Sequence, residues 1–420
     1  MSLPVLSIVA FAIAIVVSCV SAINIGFLSI AFAFIIGILF GGMRVADVVA
    51  GFPTGLFLIL VSVTLLFSQA NVNGTLGKIA KRSVKLARGN VGMIPILFFF
   101  LAAALATIGA GNIATTALLA PIAMMVAGNM GISGFLMALV VCCGANSGAL
   151  SPFAPTGVIA NGLLARIGIT GQEWPTFFNN FVAEAFVGLS GYMLLGGYKL
   201  FSRTVTMQAV RKDEALLIHE GAFTWNQKLT LAIIGVLVLS VCFFGIDVGM
   251  GAIIAAVILT VCRAADEEAA VKSMPWNVIL MVCGVTVLIS ILEKKGGMDL
   301  FTTILARFSN ATSVTGVMGF VTGLISVYSS SSGVVLPAFL PTIPGLIQKI
   351  GGGDAMAIAS SVNVGAHLVD VSPLSTLGAL CIANAAASEN RKALFNKLLI
   401  WGLSMSVVGA LVCWVFFGLL

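Results

Sequence analysis

Residues 144–161 read GANSGALSPFAPTGVIAN, and residues 365–384 read GAHLVDVSPLSTLGALCIAN. Gly144, Ala145, Ser151, Pro152 and Gly157 match Gly365, Ala366, Ser372, Pro373 and Gly378 at identical spacing, and both stretches close on Ala-Asn. Each interrupts an apolar run with a helix-stopping proline and permissive glycines. Backbone groups freed in this way are costly in hydrocarbon, and they persist only where protein, water, ion or ligand satisfies them. Matched interruptions in the two halves of a membrane protein point to the binding site of a secondary transporter.

The surrounding composition supplies the membrane. Hydrophobic residues make up 60% of the 420 and charged residues 9%, a balance that would leave large apolar patches on a water-soluble protein. Apolar runs of the roughly 20 residues needed to cross a bilayer recur along the whole chain. The first, LPVLSIVAFAIAIVVSCVSA, lacks the basic residue that precedes the apolar core of a cleavable signal, and is read as a retained helix. Most of the eight cysteines sit inside apolar runs without CxxC spacing, so neither a disulfide framework nor a transition-metal site is expected. The net charge of +6 is spread over membrane-edge loops, which suits anionic lipid, and no nucleic-acid motif is present.

The expected fold is an all-α polytopic membrane protein of two inverted repeats. It has about ten transmembrane helices, two of them unwound in mid-membrane, plus two re-entrant hairpins. The first repeat, 1–210, has scaffold spans at 3–21, 24–41 and 53–69. A basic interfacial arm at 74–90, a hairpin at 92–128 and further spans at 133–163 and 176–198 follow. The second, 211–420, has scaffold spans at 228–245, 247–262 and 276–292, an arm at 293–309, a hairpin at 312–348 and spans at 354–386 and 395–418. In the first arm, Lys78, Lys81, Arg82, Lys85 and Arg88 recur at helical spacing.

The positive-inside rule tests this layout. It places 15 Lys/Arg on the cytoplasmic side and 6 outside, with both termini outside. A full crossing at 92–107 would put the basic clusters of 78–88 and 203–212 on opposite faces. Five spans per half make the two halves opposite in orientation.

The hairpin centres carry small polar residues, TIGAGNIATT at 107–116 and SVYSSSSG at 326–333. Asn112 offers both an acceptor and donors, and Ser330, Ser331 and Ser332 are its counterparts. Thr115 and Thr116 serve either a ligand or close helix packing. At the breaks, Asn146, Ser147 and Pro373 join the substrate-site candidates. An ionisable group at membrane depth costs about 2.5 to 3.5 kcal/mol on insertion scales and is usually functional, which singles out His367 and Asp370. His367 stands where the first half has Asn146 and is read as a neutral donor to a substrate carboxylate, with proton coupling as the alternative. Asp370 either acts or orients its helix, and Glu184 is read as a satisfied helix contact.

GNIATTALLAPIAMM at 111–125, the serine-rich second tip and the two Ser-Pro breaks resemble the divalent anion:sodium symporter branch of the ion-transporter superfamily. INIGFLSIAFAFIIGILFGG at 23–42 and VVAGFPTGLFLILVSVTLLFSQANVNGT at 48–75 resemble its malonate/dicarboxylate carrier (MatC-type) group. The resemblance implies a Ser-Asn-Thr signature at each tip. Here Asn112 keeps the asparagine, Gly111 and Ile113 replace its neighbours, and the second tip has no asparagine. It also implies sodium ions between tips and breaks, with Thr107, Asn112, Gly148, Ser326, Ser331 and Ser372 as ligands, and a homodimer working by an elevator motion in a bacterial-type inner membrane. No other cofactor is implied.

The functional expectation is therefore secondary active transport of a small dicarboxylate, of malonate or C4 type, by sodium symport. Antiport of sodium and protons, or carriage of an inorganic anion, is the alternative on the same architecture. A serine hydrolase using Ser147 and His367 is the alternative of another class, and a channel lacks a charged ring or long filter.

Overall fold

The computed structural model describes residues 2–20, 23–84, 90–203, 222–386 and 389–419, and its elements are all helical. The first half begins with α1 (Leu3–Val20) and α2 (Ile25–Phe34), the latter running on through Ile35–Phe40 in wider π geometry. Then come the short α3 (Val45–Val49), α4 (Thr54–Val72) and α5 (Thr75–Val84). The hairpin limbs are α6 (Met93–Leu105) and α7 (Gly111–Met130), and α8 (Gly134–Ala149), α9 (Pro155–Arg166) and α10 (Glu173–Leu194) complete the half.

The same order returns in the second half. It opens with α11 (Trp225–Phe244), α12 (Val248–Val261), the short α13 (Glu267–Ser273), α14 (Trp276–Lys294) and α15 (Gly297–Ala306). The second hairpin has α16 (Val314–Ser326) as one limb and a broken return limb with α17 (Leu336–Phe339) and α18 (Ile343–Ile350). The chain ends with α19 (Ala355–Leu368), α20 (Thr376–Ala383) and α21 (Arg391–Cys413). Sequence reading missed α3 and α13, which are too short to carry a hydrophobic period, and it began the second arm early because α14 continues to Lys294.

Length decides what these helices can do. The hairpin limbs α6 and α16 have 13 residues each. At about 1.5 Å per residue they span about 20 Å, against roughly 30 Å of hydrocarbon. Full-length spans such as α4 and α14, with 19 residues each, reach across.

Packing repeats between the halves as well. Each first hairpin limb lies on the helix that leads into its own half's break, α6 on α8 and α16 on α19. Four other helices instead pair across the halves, α2 packing on α14 and α12 on α4. Polar ties lock the pairing: Asn24 Nδ2 donates to Asn277 O at 3.0 Å, and Gln69 Nε2 donates to Thr260 Oγ1 at 2.8 Å. Asn73 Nδ2 donates to Thr230 Oγ1 at 2.8 Å. At the opposite end of α14, Lys294 Nζ and Lys295 Nζ donate to Asp47 O and Gly41 O, each at 2.8 Å.

The basic arm differs from its sequence reading at one residue. Lys78 is buried and donates to Ala222 O at 3.0 Å instead of facing lipid headgroups. The side chains of Lys81, Arg82, Lys85, Arg88, Arg211 and Lys212 lie outside the described residues.

Candidate binding site

The first hairpin turns at Ala106–Ala110, where Gly109 has φ 125° and Gly111 has φ 73°. Both values lie in the region that side chains with a Cβ avoid. Space forbids a Cβ there too, since one at Gly109 would strike the Phe67 ring of α4 and one at Gly111 would press on Pro155. The turn hands its backbone to α7, whose first residues face the break between α8 and α9.

That break is fastened to the tip by matched residues. Ser151 Oγ donates to Thr107 O at 2.6 Å, and Gly148 lies against the backbone of α6 and Thr107 with no room for a side chain. Gly157 sits directly on Ser151 O, as Gly378 sits on Ser372 O in the second half. The repeated Ser and Gly of the two motifs thus make the same close backbone contact twice.

Asn112 Nδ2 donates to Asn146 Oδ1 at 2.8 Å, and Asn146 Nδ2 in turn donates to His367 O at 2.8 Å. Asn180 Nδ2 of α10 donates to Asn146 O at 2.8 Å. A single amide chain therefore joins the first tip, the first break and the second break.

At the second tip Ser330 caps the turn, its Oγ accepting from Gly333 N at 3.0 Å. Ser331 Oγ lies 2.8 Å from Ser326 Oγ and 2.8 Å from both oxygens of Asp370, to which Ser375 Oγ also donates at 3.1 Å. Asp370 is thus held by two hydroxyls, one from the second tip and one from the start of α20.

A cavity of about 470 Å³ opens between the first tip, α4 and α9. The first turns of α7 and α9 both end in it, contributing Gly111, Asn112 and Ile113 from one and Pro155 and Thr156 from the other. Thr64, Ser68 and Asn71 of α4 form the opposite wall, Ser273 and Pro275 close one side, and Ser332 arrives from the second tip. Among the described residues lining the cavity, none is Lys, Arg, His, Asp or Glu. Two helix N-termini supply its positive potential, since unpaired N–H groups and the helix dipole favour an anion there.

Of the residues expected at a substrate site, Asn112 and Ser332 line this cavity. Asn146, Ser147, Ser331 and His367 are fully or almost fully buried behind it, Pro373 is buried, and Ser330 is half-buried at the turn. Thr115 and Thr116 are buried with no partner for either hydroxyl. His367 turns Nδ1 to Asn363 O at 2.7 Å, leaving Nε2 buried without a partner. Among the cation candidates, Thr107, Gly148 and Asn112 cluster at the first tip. Ser326 and Ser331 meet at the second, while the hydrogen bond of Ser372 Oγ is local, accepting from Leu374 N at 3.3 Å. Glu184 is fully buried, with Cys143 and Asn146 beside its carboxyl group. Thr64, Ser68 and Asn71 were missed, although their i, i+4, i+7 spacing in an apolar span is a polar stripe on one helix face.

The hydrolase alternative has no dyad, because Ser147 Oγ donates to Cys143 O at 2.8 Å while His367 faces Asn363 O.

Residues 1–149 match the family described as the dicarboxylate carrier protein MatC N-terminus. An uncharacterized transporter of Mycobacterium bovis is 23% identical over 358 residues, covering 80% of each chain, and one of Mycobacterium tuberculosis matches to the same extent. Among solved structures, the Alcanivorax borkumensis YdaH transporter superposes with a TM-score of 0.59 at 14% identity, over 89% of this chain and 87% of that one. These similarities are to transporters rather than enzymes, and the resemblance read from the sequence is borne out.

Proposed function

We propose that this chain, an integral membrane transporter carrying the N-terminal region of the MatC dicarboxylate carriers, is a sodium-driven symporter of a small dicarboxylate of malonate or C4 size. The observation that carries this reading is the cavity, in which two helix N-termini converge and, among the described residues, no basic side chain takes part. Helix N-termini favour an anion by about 0.3–1 kcal/mol each when exposed and up to about 2 when partly buried. That is too little to hold a dianion at membrane depth alone, so co-bound cations complete the charge balance.

The membrane potential makes the same demand. Moving a dianion into a cell that is negative inside costs about 2.3 kcal/mol per charge per 100 mV, roughly 4.6 in all. Cations at Thr107, Asn112 and Gly148 in one half, and at Ser326, Ser331 and Ser372 in the other, offset two charges. A third cation or the chemical gradients supply the rest.

In this reading the halves 1–210 and 211–420 are inverted repeats whose tips re-enter from opposite sides, with both termini outside a bacterial-type inner membrane. The hairpins and the helices that follow them carry the substrate past the scaffold of α1–α4 and α11–α14 in an elevator motion, within a homodimer. The matching element order of the two halves supports the duplication, and the short first limb of each hairpin, 13 residues in both, supports re-entry.

Proteoliposomes loaded without sodium and offered a panel of radiolabelled malonate, succinate, malate and sulfate test the proposal. Accumulation of a dicarboxylate under an inward sodium gradient, abolished with choline in place of sodium, is expected. Sulfate uptake with no dicarboxylate uptake would favour the inorganic-anion carrier instead.

A further inference from the structure

The helix that leads away from the first tip turns its apolar side to the cavity and its hydroxyls to the protein. Ile113, Ala114, Ala117 and Leu118 of α7 line the cavity, at the i, i+1, i+4, i+5 spacing of one continuous helix face. Thr115 and Thr116, which lie between them in the sequence, are 0% exposed with neither hydroxyl partnered. A wall that met only water and a small dianion would carry those hydroxyls on the cavity side, because a buried hydroxyl without a partner is costly.

The apolar face also runs well beyond the polar end. Asn112, Thr156 and Ser332 gather where α7 and α9 begin, whereas Leu118 stands a further six residues along α7, about 9 Å at about 1.5 Å per residue. There it lies against Gly77 of α5, whose neighbour Leu76 also lines the cavity. Across from this face stand Ser68 and Asn71 of α4. The volume of about 470 Å³ holds about 16 water molecules at about 30 Å³ each. Malonate, with about seven non-hydrogen atoms, displaces fewer than half of them.

We infer that the cavity selects a dicarboxylate that carries an apolar branch on the carbon beside a carboxyl group. One carboxylate rests on the N-termini of α7 and α9, the other faces the hydroxyl and amide of Ser68 and Asn71, and the branch lies on Ile113, Ala117 and Leu118. The inference rests on the dicarboxylate reading and adds the branch to its malonate or C4 skeleton. Ala117 leaves the room that the branch takes, and it is exposed to the cavity, so a larger side chain there fills that room without repacking the core.

Uptake of radiolabelled malonate into proteoliposomes holding the full-length protein, with inward sodium and proton gradients both imposed, tests this by competition. The competitors are unlabelled malonate, methylmalonate, ethylmalonate and propylmalonate, or the matching 2-alkylsuccinates against succinate where succinate is the acid accumulated. In the wild type the half-inhibitory concentration should fall about threefold for each added carbon, about thirtyfold over the series, as buried methylene groups require. In Ala117→Phe the first and last members should come within about threefold of each other, and in Leu118→Asn the gain per carbon should shrink. A series that is flat or worsens with length in the wild type overturns the inference while leaving dicarboxylate transport standing. An unaltered series in a monodisperse Ala117→Phe also overturns it. Failure to accumulate any dicarboxylate overturns both readings. Should Ala117→Phe fail to fold, an unaltered series in Leu118→Asn is the overturning result.

Discussion

The first hairpin turns through Gly109 and Gly111 at φ 125° and 73°, whereas the second turns through serines with no residue in the left-handed region. In the first half the backbone is bent where no side chain fits, and an asparagine carries the polar contacts. In the second, Ser330 caps the turn and Ser331 reaches a carboxylate. The first tip thus presents an asparagine amide to the cavity, while the second spends its Ser331 hydroxyl on Asp370 and presents Ser332 to the cavity. The two halves need not share the work of binding equally, since the cavity takes one residue, Ser332, from the second tip.

The strongest way to break this comparison is to put a side chain on the glycine turn. Gly109→Val should abolish transport and lower the yield of folded protein, because the left-handed conformation costs about 1–2 kcal/mol and overpacking against Phe67 typically adds about 1–3 more. Fluorescence-detected size exclusion with uptake assays reads both effects. A mutation of the same kind in the second tip, Ser330→Val, removes a cap worth about 1 kcal/mol and should leave folding measurable.

Next in size is Asn112→Ala, which strips Asn146 Oδ1 of its buried donor at a cost of about 1–3 kcal/mol. Uptake should fall on the order of ten- to a hundredfold in a protein that still elutes normally, and Ser331→Ala should fall comparably through sodium dependence. Wild-type uptake in both variants would refute the site.

A smaller effect is expected on the scaffold wall. Ser68→Ala or Asn71→Ala should raise the substrate KM about three- to tenfold with little change in the maximal rate, equivalent to about 1 kcal/mol per lost neutral hydrogen bond. An unchanged KM in both would show that the substrate sits on the hairpin side alone. The smallest change is predicted for Thr115→Val. Its hydroxyl is buried and unpartnered, so an isosteric apolar replacement is nearly neutral, and a marked loss of uptake would instead place that hydroxyl on the substrate.

The parts of this architecture that were legible in the sequence are those written locally. Ser-Pro followed by Gly marks a break because proline and close-packed glycine act within a few residues, and GAGN marks a turn for the same reason. What escaped is carried by contacts across the fold. Asn146 meets His367 O across 221 residues of separation, and no local pattern announces that pairing. The two hydroxyls on Asp370 come from separate segments, the second tip and the start of α20, so its sequence context suggested either a functional acid or a helix orienter. Lys78 looked like an interfacial residue because helical spacing does not reveal that Ala222 lies above it. The stripe of Thr64, Ser68 and Asn71 was legible as one helix face, but only the packing of that face against the first tip makes it a cavity wall.

The pairing of helices across the two halves has a consequence for how the protein is made. Since α2 rests on α14 and α4 on α12, a nascent chain that has inserted its first half still presents unmatched polar edges, Gln69 and Asn73 among them, to lipid. Biogenesis must hold those helices until the ribosome has delivered α14. Fragments 1–210 and 211–420 synthesised separately are therefore expected to be degraded alone and to recover together.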